Sequence, residues 1–442
     1  MKLFGTDGIR ANSKSELLNY QSVIRLGYSI GSWAKHVECK SIIVGKDTRE
    51  SSTTIERWLS IALENSGIDI KLIGIVPTPA VSYICRELDC CGIMITASHN
   101  PYYDNGIKIF CKSGKKTTDL DEQYIEDWYQ KFADTKYETE MFNIKNNYKC
   151  YKETVDEYLR AIYISKLKEI ADFSLKKKIV LDCANGANSF IAKKVLERIT
   201  KSLIIINASP NPKNINYNCG AMHPEILSKN VIFEKADLGI AFDGDADRVL
   251  FCDENGEIID GDHVLGFISK HTNQEEIVYT DYSNLALDTF LKKCNISGIR
   301  VQNGDKYVSD ELSKRGLLFG GEKSGHFIFK EYNESGDGLL SAIQLLKALS
   351  TINAPLSQIK EFELYPQVVV SAEVQRKKEL NEIKGLQEML EHAKNTLGQN
   401  ARINLRYSGT EMKIRVLVEG NSQDLCNEIA NKIAGFIKCV NS

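Results

Sequence analysis

Three stretches of the chain share one rhythm. KSIIVGKDTRESSTTIERWLSIALENSG (40–67), KKIVLDCANGANSFIAKKVLERIT (177–200) and EEIVYTDYSNLALDTFLKKCN (275–295) each open on a short apolar run and cross a polar turn. Each then continues with apolar residues at i, i+3 and i+4. A bounded apolar run of this length reads as a buried strand, and the period that follows reads as a helix with one face on a core. Strand–turn–helix alternation predicts α/β units with mixed, largely parallel sheets. Three copies at wide spacing predict three similar α/β domains.

The pattern breaks between them. DTKYETEMFNIKNNYKCYKETVDEYL (134–159) is polar and weakly periodic, which sets the first boundary near its end. FCDENGEIIDGDHVL (251–265) reads as a hairpin turning tightly at Asn255-Gly256 and marks the second. LSTINAPLSQIKEFELYP (349–366) closes a helix and leads into a strand, QVVVSAEV, so a smaller C-terminal domain begins there. The expected domains are 1–155, 156–255, 256–365 and 366–442.

Composition narrows the class. The chain has 442 residues, too many for one ordinary core, with 43% hydrophobic and 26% charged residues. Net charge is -3 and no long basic stretch is present, which argues against nucleic acid as a partner. The opening MKLFGTDGIRANSKSE has no apolar core of a signal peptide, and runs such as SLIIINA are too short to span a bilayer. A cytoplasmic protein with no membrane partner is expected. Twelve scattered cysteines without a C-x-x-C pair fit small, reduced core residues.

Four short stretches carry chemistry. In DLGIAFDGDADRVLF, Asp243, Asp245 and Asp247 follow an apolar strand at i, i+2, i+4, a spacing that puts three carboxylates on one side of an extended chain. Like charges this close need a cation, and oxygen-only ligands select a hard one, Mg²⁺. The alternatives are a solvated acidic loop, an EF-hand, which would need glycine where Arg248 stands, and an aspartyl-phosphate enzyme with Asp243 as nucleophile. In TASHNPYYDNGIK, Ser98 lies on a loop at a strand's C-terminal end beside His99, without the G-x-S-x-G elbow of a hydrolase. Alone it reads as a turn-capping serine. Lys108 returns on the next strand and would move protons if its pKa were depressed.

In RYSGTEMKIR, Arg406, Ser408, Gly409, Thr410 and Arg415 supply the charge and donors that a phosphate dianion needs. A plain turn between strands is the alternative. In FGGEKSGHFIF, Glu322 and Ser324 suit vicinal sugar hydroxyls, and His326 reads equally as a loop histidine. No Walker A order is present. Together, a loop serine, a metal site, a sugar loop and a phosphate clamp are the parts of phosphoryl transfer to and from a sugar phosphate. Ser98 then carries a phosphoryl group rather than attacking a carbonyl.

With these residues in this order, nearly the whole chain resembles the α-D-phosphohexomutases. TASHNP and DGDADR are highly specific to that superfamily. Softer matches, FGTDGIR, INYNCGAMHPE and GGEKSGHFIFKEYNESGDGLL, resemble its bacterial phosphoglucosamine mutase branch. The resemblance implies three α/β domains and a C-terminal α+β domain around a central cleft. It implies phospho-Ser98 completing a Mg²⁺ shell with Asp243, Asp245 and Asp247. Arg10 and Arg248 would stabilise the transferring group, Lys108 would move the proton, and Glu322, Ser324 and His326 would read the sugar. Arg406, Ser408, Gly409, Thr410 and Arg415 would hold the idle phosphate.

The implied reaction interconverts glucosamine 6-phosphate and glucosamine 1-phosphate, within amino-sugar nucleotide and peptidoglycan precursor synthesis. It passes through a 1,6-bisphosphate that turns end for end, and a hexosamine or hexose 1,6-bisphosphate would act as activator. A homodimer is also implied. Three positions depart from the family pattern: Ala11 for glycine, Lys306 for arginine in NGDKYV, and Met412 for proline. If position 11 needs φ > 0, Ala11 costs about 1 kcal/mol. Lys306 keeps a charge but loses a planar fork in a loop that contributes to substrate choice. The rivals are a phosphomannomutase or phosphoglucomutase, a phosphatase using Asp243, and a non-catalytic phosphosugar-binding protein. A binding protein has no need of Ser98, Lys108 and three aspartates together.

Overall fold

Strands form where the apolar runs fall, and in three places they assemble in the same way. The computed structural model describes residues 2–5, 7–134, 154–398, 401–407 and 412–440. Most of the polar segment that sets the first boundary lies outside these residues, as do Ser408, Gly409 and Thr410.

The first sheet is built from Ile9–Asn12 (β1), Ser41–Lys46 (β2), Asp69–Ile75 (β3), Cys91–Ile95 (β4) and Asp104–Phe110 (β5), in the order β1-β5-β4-β2-β3. β3, β2 and β4 are parallel, whereas β5 and β1 run antiparallel. The second sheet uses Leu175–Asp182 (β6), Thr200–Ile206 (β7), Leu238–Phe242 (β8), Val249–Asp253 (β9) and Ile258–Ile259 (β10), in the order β10-β9-β8-β6-β7. Again three parallel strands are followed by antiparallel ones. The third sheet uses Glu276–Thr280 (β11), Ser297–Val301 (β12), Phe319–Gly321 (β13) and Phe327–Phe329 (β14), in the order β12-β11-β13-β14. Here β14 alone is antiparallel. Each unit thus places its first parallel strand between its second and third parallel strands, then turns back.

The C-terminal unit differs. Gln367–Glu373 (β15), Arg402–Tyr407 (β16) and Lys413–Glu419 (β17) make an antiparallel sheet, β15-β17-β16, backed by helices Leu386–Leu397 and Gln423–Val440. The expected class, three α/β units and a smaller α+β unit, is what forms.

β10 pairs with β9, so the second sheet extends past 255 and takes in both arms of the hairpin. The turn is also longer than a two-residue Asn-Gly turn. Asp253 N–H donates to the Glu257 carbonyl at 2.9 Å, leaving Glu254, Asn255 and Gly256 between them, with Gly256 at φ +79°. That is the three-residue hairpin in which a left-handed glycine closes the loop.

One continuous core joins the three α/β units. Val81 and Ile84 from helix Thr78–Leu88, Tyr163 and Leu167 from Glu157–Ile170, and Leu345 and Leu346 from Gly338–Ile352 share it. The last helix is apolar nearly all round, as a helix enclosed on every side must be. Ala11 pairs with Asn105 in β1 and has no positive φ, so it carries none of the backbone cost that a left-handed residue would. Of the eleven described cysteines eight are buried, and all are free thiols. Among the described residues no helix is long and apolar enough to cross a membrane.

Candidate active site

The shared topology places three loops in equivalent positions. Residues 96–103 join β4 to β5, 243–248 join β8 to β9, and 322–326 join β13 to β14. Each leaves the C-terminal end of the unit's third parallel strand and returns antiparallel, at the sheet end where open α/β folds bind ligands. These are the loops of Ser98, of the three aspartates and of Glu322, Ser324 and His326.

Ser98 is fully buried at φ +51°, a conformation unusual for a residue with a Cβ. Its backbone is held from both sides. Its N–H donates to Thr96 Oγ1 at 2.9 Å, and its carbonyl accepts from Arg49 Nη2 and Asn216 Nδ2, each at 2.8 Å. Gly244 lets the aspartate loop approach, since a Cβ there would lie 2.7 Å from the Ser98 carbonyl oxygen.

Arg49 has its five N–H donors committed. Nε pairs with Asp47 Oδ2 at 2.8 Å, Nη2 also meets the Asn100 carbonyl at 2.8 Å, and Nη1 meets the carbonyls of Pro101 and, at 2.9 Å, Asp104. One planar fork therefore sets the backbone of the whole serine loop. A lysine keeps the charge but cannot span these acceptors. Arg49→Lys is expected to lose about 2–3 kcal/mol of stability and about 10–100-fold in kcat/KM, because the loop no longer fixes Ser98. Urea unfolding and turnover check this, and a variant matching wild type in both would show that the fork is dispensable.

The three aspartates follow β8 in a curled turn, not an extended chain. Ala246 N–H closes on the Asp243 carbonyl at 3.1 Å, with Ala246 at φ +56°. Curling, rather than strand alternation, brings the carboxylates together, with one oxygen of each within 4.8 Å of the others. Strands flank the loop where an EF-hand has helices. Ser98 Oγ donates to Asp243 Oδ2 at 2.8 Å. Burial and the Asp247 and Asp245 carboxylates push Asp243 up to about 8. Asp245 Oδ1 and Asp247 Oδ1 are buried without a hydrogen-bond partner. Crowded carboxylates with unused buried oxygens suit a hard divalent cation.

Cations ring the cluster. Lys108 Nζ, on β5, sits 2.8 Å from Asp245 Oδ2, 2.9 Å from Asp247 Oδ2 and 3.2 Å from Asp7 Oδ2. Burial opposes its charge, but the three carboxylates outweigh burial and hold its pKa above the ordinary range. This reverses the depressed lysine considered from sequence, so Lys108 here carries its proton. Arg10, on β1, pairs with Asp7. Arg248 Nη1 reaches His99 Nδ1 at 3.1 Å, and burial together with Arg248 and Arg10 lowers His99 to about 4. His99 is thus a neutral acceptor for Arg248 rather than the general base of a serine triad, which needs a carboxylate behind it.

The 322–326 loop sits against this chamber. His326 is buried 3.8 Å from Asp247 and 3.5 Å from Asp305, and these carboxylates outweigh burial to raise its pKa. Glu322 Oε1 accepts from Gly304 N–H at 3.0 Å, and burial raises its pKa. Ser324 is exposed beside it, its Oγ 3.4 Å from Glu322 Oε2. Lys306 turns away to Asp119 of the first unit. Arg406 and Arg415 are directly opposed across β16 and β17, which puts both guanidiniums on one sheet face. Arg406 Nη1 reaches the Asn303 carbonyl at 3.3 Å, so β16 touches the third unit. Ser408, Gly409 and Thr410 lie outside the described residues, and Met412 is exposed.

Sequence reading missed Arg49, Asn216, Asp7 and Thr78, whose Oγ1 donates to Asp245 Oδ2 at 2.6 Å. Arg49 had a signal: KDTR follows the apolar run of β2 at its C-terminal end. Thr78 had none, because its partner is far along the chain.

Four family models match the chain end to end. Phosphoglucomutase/phosphomannomutase alpha/beta/alpha domains I, II and III match residues 1–136, 156–256 and 260–365, and the C-terminal domain matches 370–436. Phosphoglucosamine mutase of Aliarcobacter butzleri is 41% identical with both chains fully covered. That of Campylobacter curvus is 40% identical, also over the whole of both. Among solved structures, a phosphoglucomutase/phosphomannomutase family protein from Burkholderia thailandensis superposes with a TM-score of 0.80 at 20% identity, covering 99% of this chain and 97% of its own. Aspergillus fumigatus N-acetylphosphoglucosamine mutase, in complex with GlcNAc-6P and magnesium, gives 0.70 at 16% identity, covering 100% and 96%.

Proposed function

The chain belongs to the phosphoglucomutase/phosphomannomutase family, and from that premise we propose that it interconverts glucosamine 6-phosphate and glucosamine 1-phosphate through phospho-Ser98. One observation carries the mechanism: the Ser98 hydroxyl is bonded at 2.8 Å to a buried aspartate within a three-carboxylate cluster. The choice of sugar is supported by relatives about 40% identical over their full length.

Asp243, Asp245 and Asp247, with an oxygen on Ser98, would hold Mg²⁺, which when bound neutralises charge on the phosphoryl group. In the first step the bond from Ser98 Oγ to phosphorus breaks as the sugar O1 bonds to phosphorus. The serine oxygen leaves as an alkoxide, and Lys108, a protonated donor in its chamber, returns a proton to it. The sugar O1 hydroxyl releases its proton to water in this step, and sugar O6 takes one from water in the next, so each step balances. Arg10 and Arg248 place fixed positive charge where the equatorial oxygens gather it. In the second step neutral Lys108 takes the serine proton back as Ser98 Oγ accepts the 6-phosphoryl group.

Between the steps the bisphosphate must turn over. Arg406 and Arg415 bind the idle phosphate in either orientation because they read a dianion, not a ring position. Glu322, Ser324 and His326 present hydroxyl-reading groups that tolerate both faces of a sugar. Closure of the C-terminal unit over the site would keep water from the phosphoryl group. An active-site location in the cytoplasm and a homodimer are further parts of this reading.

The test is turnover with Mg²⁺ and a trace of hexose 1,6-bisphosphate, comparing glucosamine, mannose and glucose phosphates. We expect kcat/KM for glucosamine phosphate to lead by about 10-fold or more, the scale that a few polar contacts supply. A lead for mannose or glucose phosphate would keep the mutase and remove the sugar assignment.

A further inference from the structure

Behind the site described above, six side chains close a ring in which donors alternate with carboxylates. Lys108 Nζ lies 3.2 Å from Asp7 Oδ2, and Asp7 Oδ1 binds Lys116. Lys116 binds Asp305, whose Oδ2 lies 3.5 Å from His326 Nε2. His326 Nδ1 lies 3.8 Å from Asp247 Oδ1, and Asp247 Oδ2 returns to Lys108 at 2.9 Å. Asp7, Lys108 and Lys116 belong to the first unit, Asp247 to the second, and Asp305 and His326 to the third. Asp247 and His326 are on the loops already described, and Lys108 is on β5. Lys116 is on none of them, yet it is the member that spans from the phosphoserine unit to the sugar-loop unit.

We propose that Lys116 is a positioning residue for phosphoryl transfer: shared between Asp7 and Asp305, it fixes Lys108 on one side and His326 on the other. The inference rests on Ser98 being the phosphoryl carrier. Its physical basis is the geometry of one cation between two carboxylates. The Lys116 side chain is only 15% exposed, and those of Asp7 and Asp305 only 19% and 16%. Without the ammonium, the two carboxylates face each other and repel. Asp305 stands at the start of helix Asp305–Arg315, and the loop before it donates Gly304 N–H to Glu322. Moving Asp305 therefore disturbs both His326 and Glu322, while moving Asp7 disturbs Lys108 and Arg10. Lys116 touches none of the three metal-site carboxylates in this arrangement. Its effect on the reaction is transmitted through the ring.

The experiment uses the full chain with Mg²⁺ and has two readouts: the rate at which glucose 1,6-bisphosphate phosphorylates Ser98, by intact mass, and steady-state kcat and KM. Lys116→Met should lower the phosphorylation rate and kcat by about 100-fold, the cost of a displacement on the order of 1 Å in the catalytic groups. Lys116→Arg should recover to within about 10-fold. Asp305→Asn combined with Lys116→Met should lose clearly less than the product of the single losses, because no unpaired carboxylate remains. A lysine that merely stabilises the fold would lower the melting temperature and leave kcat of the folded enzyme unchanged. A folded Lys116→Met with at least half the wild-type kcat, or single losses that simply multiply, would overturn the proposal. If Lys116→Met does not fold, the neutral double variant decides: kcat about 10-fold or more below wild type supports the ring, and wild-type kcat refutes it. Wild type that never gains phosphate at Ser98 removes the phosphoserine reading itself and the ring's role with it. Loss confined to the variants bears on Lys116 alone.

Discussion

Ser98→Ala abolishes turnover, with kcat expected to fall by about 10⁴-fold or more, while the protein stays folded. The size follows from the proposed role, in which the hydroxyl oxygen is the atom that forms and breaks the bond to phosphorus and no neighbour replaces it. Asp243 lies 2.8 Å away, but in the proposed site its carboxylate is engaged in holding the divalent ion and is not free to attack phosphorus. The stability change is separable from this loss. The variant forfeits the bond to Asp243 and a longer one, 3.3 Å, to His99 Nδ1, together worth roughly 1–2 kcal/mol, whereas the loop backbone stays pinned by Arg49, Asn216 and Thr96. Ser98→Gly sharpens the test. Because the residue sits at φ +51°, glycine regains roughly 1 kcal/mol of backbone strain and should be at least as stable as the alanine variant, yet equally inactive. Turnover, melting temperature and intact mass after exposure to a 1,6-bisphosphate check all three statements. Near wild-type turnover in either variant would transfer the nucleophile to Asp243 and leave the serine as a turn residue.

The strand–helix rhythm near residues 40, 177 and 275 was legible because each central parallel strand is buried on both faces and therefore written as an unbroken apolar run. The local chemistry of TASHNP, DGDADR and EKSGH was legible because each fits within one short loop. That these loops occupy the same place in three copies of one topology was not. The rhythm marks the first parallel strand of each unit, whereas the loops follow the third parallel strand, and strand order is fixed by pairings between distant segments. The same reason hides Lys116, whose partners stand more than a hundred residues away on either side. The aspartate spacing led to the right group by the wrong geometry: the carboxylates converge in a turn closed at Ala246, not along an extended strand. The charge state of Lys108 was not legible because the three carboxylates that meet it, Asp7, Asp245 and Asp247, come from distant segments of the chain.

Asp243→Asn is expected to move activity and stability in opposite directions. Loss of one carboxylate from the cation site should lower kcat by about 10³-fold or more, since an amide brings no charge to the metal. In chelator, however, the variant should be the more stable protein. Asp243 is raised from an ordinary value of 3.8 to about 8 by burial and by Asp247 and Asp245. Between those values the folded chain holds a proton that the unfolded chain has released. Stability of the metal-free wild type therefore falls as pH rises through that window, with a slope of at most about 1.4 kcal/mol per pH unit for this one group. Asparagine does not titrate, so the difference between variant and wild type should widen from pH 5 to pH 8. Other titrating groups cancel in that difference as long as Asp245 and Asp247 keep their bonds to Lys108. Adding Mg²⁺ should raise the melting temperature of wild type by mass action and that of the variant much less, narrowing the gap or reversing it. Melting curves at several pH values, with chelator and with Mg²⁺, give the comparison. Parallel pH profiles in chelator would mean that Asp243 is ionised and already neutralised by the cations around it. The case that this cluster requires a divalent ion would then rest on the buried Oδ1 of Asp245, which has no hydrogen-bond partner.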